Sequence, residues 1–143
     1  MRSIAKARIL VIEDEDGIRK FIKRVLEPTY EIHLASNGAE GLNQTRWVKP
    51  DLILLDIRMP GLDGLTVLAK LKANEKTRMI PVVIVSAKGE TDTLLESQRG
   101  GAADQLIKPF NVEDLRAAIE RQLIVREEDA SKDTEGGKRG EPT

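Results

Sequence analysis

Short, uninterrupted apolar runs alternate along this chain with longer stretches in which apolar residues recur every three or four positions. Arg8-Ile-Leu-Val-Ile12 stops abruptly at acids and reads as a strand buried on both faces. Ile18, Phe21, Ile22, Val25 and Leu26 follow at helical spacing, with Arg19, Lys20, Lys23 and Arg24 opposite them as a solvated face; Pro28 ends the helix. Tyr30–Ala35 alternates weakly as a second strand. Asn37-Gly38 opens a helix that runs to about Val48 and closes at Pro50, with Trp47 expected to pack inward. Asp51-Leu-Ile-Leu-Leu55 is the most apolar strand, and it runs into Asp56. Asp63 is a natural N-cap for a helix carrying Leu65, Leu68 and Leu71. Ile80–Val85 reads as a fourth strand, with Pro81 near its start. Thr91–Gln98 is a short helix and Asp104–Ile107 a brief fifth strand. Asn111 then caps a last helix carrying Leu115, Ala118, Ile119 and Leu123.

Five strand–helix units in succession predict an α/β protein, a (βα)5 doubly wound five-stranded parallel sheet with helices on both faces. One domain over residues 1–126 is expected. Residues 127–143 are polar, Gly-rich and aperiodic, and read as a disordered acidic tail or a truncated linker.

Composition narrows the function. With no cysteine, disulfides and thiolate metal sites are excluded, and the single His33 cannot form a zinc cluster. The tail holds six acids and three bases, a net −3; since the whole chain is −1, residues 1–126 carry −1 − (−3) = +2. So small an excess, with aromatics at 3%, gives no case for direct nucleic-acid binding. No apolar run approaches the roughly 20 residues that span a bilayer, and no signal peptide is recognisable, so a cytoplasmic protein with no membrane partner is expected.

The chemistry lies where strands end. Strand one ends in Glu13-Asp14, strand three in Asp56, strand four in Ser86 and strand five in Lys108. In a doubly wound parallel sheet these ends meet along one edge, where ligands bind. Three clustered carboxylates repel one another and call for a cation. All-oxygen ligands without His or Cys suit Mg²⁺. A carboxylate can attack phosphorus to form an aspartyl-phosphate, whose oxygens the metal, Lys108 and the Ser86 hydroxyl would bind.

The segments Val-Ile-Glu13-Asp14-Glu, Leu-Leu-Asp56-Ile-Arg-Met-Pro60-Gly-Leu-Asp-Gly64, Val-Ile-Val-Ser86-Ala87 and Lys108-Pro109-Phe110 resemble, in order and spacing, the signature of response-regulator receiver domains of two-component signal transduction. The likeness runs from about Arg8 to Leu123. It implies a flavodoxin-like three-layer sandwich with strand order 2-1-3-4-5. It also implies Asp56 as phosphoacceptor, and Mg²⁺ held by Asp14, Asp56 and the Arg58 backbone carbonyl, with Glu13 acting through a water. Ser86 and Lys108 would contact the phosphoryl group, and a cis peptide would fall at Lys108-Pro109. The expected function is a phosphorelay switch. A histidine kinase or histidine phosphotransfer protein donates to Asp56, and the altered conformation controls a downstream protein, with a phosphorylation-dependent homodimer as one route. Beyond catalysing its own phosphorylation and slow dephosphorylation, such a domain is not an enzyme. No effector fits after Leu123, so a single-domain regulator and a fragment of a larger one both stay open.

One switch position departs from the family. Three residues before Lys108, where an aromatic ring usually relays the change at Ser86, stands Gln105. This keeps alive the alternative of a degenerate receiver that binds partners without phosphorylation. A Mg²⁺-dependent phosphohydrolase would want an acid two residues after its nucleophile, where this chain has Arg58. Arg58 and Lys88 are instead candidates to shield an acyl phosphate from water. His33 reads as a strand or surface residue rather than a phosphodonor.

Overall fold

The computed structural model describes residues 5–124. Five strands, β1 (Arg8–Ile12), β2 (Glu31–Ala35), β3 (Leu52–Asp56), β4 (Val82–Ala87) and β5 (Asp104–Lys108), form one parallel sheet in the order 2-1-3-4-5. Between them run α1 (Asp16–Leu26), α2 (Gly38–Val48), α3 (Gly64–Ala73) and α4 (Thr91–Arg99). A fifth helix, α5, occupies 112–124. The tail, residues 127–143, lies outside the described residues.

The continuous apolar runs are explained by the two faces of the sheet. Ile9, Val11, Leu52, Leu54, Val83 and Val85 point to one side, against Ile22 and Leu26 of α1 and Leu115, Ala118 and Ile119 of α5. Leu10, Ile12, Ile53, Leu55, Val82 and Ile84 point to the other, against Val67, Leu68 and Leu71 of α3. Successive strand residues therefore enter different cores, and no polar position is tolerated between them. Each fully buried Leu or Ile contributes about 1.5–3 kcal/mol.

The boundaries follow local chemistry. Asn37 Oδ1 accepts from Glu40 N–H at 2.8 Å and Asp63 Oδ1 from Thr66 N–H at 2.8 Å, capping α2 and α3. Asn111 Oδ1 accepts from Asp114 N–H at 2.7 Å and starts α5. Lys49 takes a left-handed φ of 51° at the end of α2, just before Pro50. The fourth strand begins later than the apolar run suggests: Ile80 and Pro81 precede it, and Ser86 and Ala87 belong to it.

Two helix readings need correction. Trp47 does not pack inward, since it is 75% exposed. The buried face of α2 consists of Gly38, Gly41, Thr45 and Val48, and a one-residue offset from Val48 turns Trp47 outward. Arg19 is not on a solvated face; its guanidinium folds back over the β1–α1 loop.

Candidate functional site

Strand register assembles the site. Ile12 of β1 pairs with Leu55 of β3, so Glu13, one step further on, stands beside Asp56. Asp56 pairs with Val85, Ser86 with Ile107, and Ala87 with Lys108. The carboxyl ends of β1, β3, β4 and β5 thus deliver Glu13-Asp14, Asp56, Ser86 and Lys108 to one edge of the sheet.

Each of Glu13, Asp14 and Asp56 offers a carboxylate oxygen, and all three oxygens lie within 4.8 Å of one another. Glu13 and Asp56 are buried, at 1% and 3% exposure, while Asp14 is half-buried. Lys108 Nζ stands 3.3 Å from Glu13 Oε1, 3.6 Å from Asp56 Oδ2 and 3.9 Å from Glu15 Oε1. The contact with Glu13 Oε1 is an ion pair without hydrogen-bond alignment, which leaves that buried oxygen without a hydrogen-bond partner. The buried Ser86 hydroxyl is in the same condition. Asp56 Oδ1 accepts weakly from Arg58 N–H at 3.3 Å.

Burial, reinforced by the neighbouring Glu13 charge, pushes the Asp56 carboxyl up to about 7; Lys108 pulls the other way and is outweighed. Burial alone would lower the Lys108 ammonium, but Asp56, Glu13 and Glu15 raise it above the ordinary lysine value. The carboxylates together outweigh the one lysine that faces them.

A divalent cation fits this donor set. Hard carboxylate oxygens converge, none is a nitrogen or sulfur ligand, and a buried Glu13 oxygen has no hydrogen-bond donor. A Cβ on Gly64 would lie 2.5 Å from the Asp56 carbonyl oxygen and 2.5 Å from Ile57 Cα, so the start of α3 presses directly on the end of β3. Lys108-Pro109 is cis.

All of the residues expected at the strand ends are brought together here. Gln105 is half-buried on β5, one strand removed from β3, and its Oε1 accepts from Gln98 Nε2 of α4 at 3.4 Å. The Arg58 side chain is tied elsewhere than expected. Its Nε pairs with Glu90, whose other carboxylate oxygen accepts from Ala87 N–H at 2.8 Å. Lys88 is exposed. His33 lies on β2, with Nε2 2.6 Å from Glu31 Oε2, away from the acids. Two contacts beside the site were not anticipated from the sequence: Glu90 holds the Arg58 side chain and the Ala87 N–H, and Arg19 bonds the Glu13 and Asp14 carbonyls. Only a long side chain within a few positions of a strand end hinted at either. A cavity of about 900 Å³ between α2 and α3, lined by Arg46, Lys49 and Lys70 among others, contains none of the site residues.

Known proteins share this architecture. The response regulator receiver domain profile matches residues 9–120. The chain is 35% identical over 120 residues to sporulation initiation phosphotransferase F of Bacillus subtilis, covering 83% of this chain and 95% of that protein. It is 38% identical over 117 residues to the regulatory protein AtoC of Escherichia coli, covering 81% of this chain but only 25% of that longer protein. The crystal structure of NtrX from Brucella abortus superposes with a TM-score of 0.84 at 31% identity, over 92% of this chain and 29% of that one. Fold, edge chemistry and these matches agree: the chain belongs to the response regulator receiver domain family of two-component signal transduction.

Proposed function

We propose that Asp56 is the phosphoacceptor, loaded from a phosphohistidine donor on a histidine kinase or histidine phosphotransfer protein. Asp56 attacks phosphorus, an O–P bond forms, the donor's N–P bond breaks, and the released imidazole takes up a proton. The observation that carries this reading is the buried Asp56 carboxylate at the end of β3, with Lys108 Nζ at 3.6 Å and a hydroxyl lacking a partner on the adjacent strand. Lys108 neutralises one oxygen of the transferred group, and the Ser86 hydroxyl donates to another. Asp14, Asp56 and the Arg58 carbonyl would hold Mg²⁺, with Glu13 acting through a water. The ion supplies positive charge that offsets the carboxylates and the incoming phosphoryl oxygens.

Self-catalysed phosphorylation and slow hydrolysis make this a signalling domain acting on a downstream protein, and the same reading places it in the cytoplasm. Among the described residues no helix is long and apolar enough to cross a membrane. Gln105 favours a second output route. Its amide joins β5 to α4 through Gln98, so the α4–β5 face would be read without a ring turning inward.

Intact mass after incubation with Mg²⁺ and acetyl phosphate or a phosphoramidate tests the proposal. One phosphoryl adduct is expected, lost in Asp56→Asn and with EDTA. A protein that binds Mg²⁺ yet takes no phosphoryl group, even from a cognate donor, is a degenerate receiver.

A further inference from the structure

We infer that Arg19 is a positioning residue for the divalent-cation site, an inference that rests on the metal reading given above. Arg19 sits on the first turns of α1, and its side chain is only 16% exposed. Nη1 donates to the backbone carbonyls of Glu13 at 2.8 Å and Asp14 at 2.9 Å, and Nη2 to Asp16 Oδ1 at 3.0 Å. The two carbonyls belong to the two residues whose carboxylates project into the site from β1. The other basic residues paired along α1 behave differently: Lys20 and Lys23 make exposed pairs with Asp16 and Glu27 of the kind that contributes little.

The loop needs such a clamp. Glu13, Asp14, Glu15 and Asp16 are consecutive acids, and their mutual repulsion favours an opened loop. On one side Glu13 N–H is fixed to Ala35 C=O of β2 at 3.0 Å, and Glu15 N–H donates to Glu13 Oε2 at 3.1 Å. Arg19 closes the other side. Its planar fork spans two successive carbonyls and a carboxylate at once, which a lysine ammonium on a flexible stem cannot do. With both carbonyls pinned, the Glu13 and Asp14 side chains leave the backbone in fixed directions, and the site is preorganised before the cation arrives.

The test is calorimetric titration of Mg²⁺ into Arg19→Lys, Arg19→Gln and Lys20→Gln, without phosphodonor, with folding followed by far-UV circular dichroism. Loss of an outer partner of this kind weakens metal binding by about tenfold to a hundredfold. Arg19→Gln is expected in that range, Arg19→Lys between it and the parent, and Lys20→Gln at the parent value. In phosphorylation assays the half-saturating Mg²⁺ shifts upward by the same factor, while the rate at saturating Mg²⁺ stays near the parent's. Affinities within twofold of the parent in folded Arg19 variants overturn the role, as does a saturating rate that fails to recover. If Arg19→Gln does not fold, Arg19→Lys decides by the same criteria. A parent protein that binds no Mg²⁺ overturns the metal reading itself, and this role with it.

Discussion

Lys108 Nζ stands 3.6 Å from Asp56 Oδ2, reaching from the end of β5 past β4 to the end of β3. It is the one cation in contact with the buried carboxylates among the described residues, and it faces both Asp56 and Glu13. On the proposed reading, removing it takes away the one side-chain positive charge facing a transferred phosphoryl group and leaves the Ser86 hydroxyl and the metal ion to hold the rest. Lys108→Ala is expected to lower the initial rate of phosphorylation by acetyl phosphate at saturating Mg²⁺ by about a hundredfold, the usual effect of losing one preorganised donor. A rate within threefold of the parent would show that Lys108 only balances the acids.

The raised Asp56 carboxyl makes metal-free stability depend on pH. Its ordinary value is 3.8 and its folded value about 7. Below the ordinary value both folded and unfolded chains hold the proton and nothing is lost. Between the two values the unfolded chain releases it while the folded chain retains it, so stability falls as pH rises; above about 7 the loss is complete. In EDTA, Tm should fall between pH 5 and pH 8, and Asp56→Asn should flatten that fall and melt higher than the parent at pH 8. Parallel curves for the two proteins would refute the assignment.

If Asp56 holds Mg²⁺ as proposed, protons and the ion compete for the same carboxylate. With Asp56 near 7, a one-proton competition weakens Mg²⁺ binding by about tenfold from pH 8 to pH 6. Titrations at the two pH values measure this directly. An unchanged affinity would place the bound ion away from Asp56.

Gly64 is fixed by steric contact with the end of β3. Since a Cβ there meets backbone at 2.5 Å, Gly64→Ala must push α3 off the Asp56–Ile57 segment. Overpacking of this kind costs about 1–3 kcal/mol, read as a lower urea midpoint. Gly17→Ala, where nothing lies within 4 Å, serves as the comparison and should not be destabilised by contact.

Much of this was legible in the order of residues. Leu52–Leu55 and Ile9–Ile12 are apolar at every position because both faces of a central parallel strand are covered, and that pattern alone predicts α/β layering. Asn37, Asp63 and Asn111 announced their caps because a helix start needs a short acceptor at a fixed offset. The meeting of Glu13, Asp14, Asp56, Ser86 and Lys108 could be anticipated because strand ends share one edge of such a sheet. Tertiary structure decided what linear spacing does not encode. The β1–β3 register sets Glu13 beside Asp56, and the packing of α2 through Val48 turns Trp47 outward. Burial together with a neighbouring carboxylate, neither visible in the residue type, lifts Asp56 to about 7. Arg19 read as a surface charge because helical periodicity assigns a direction to its Cβ, whereas a long, flexible side chain can curl back to whatever acceptors the fold presents.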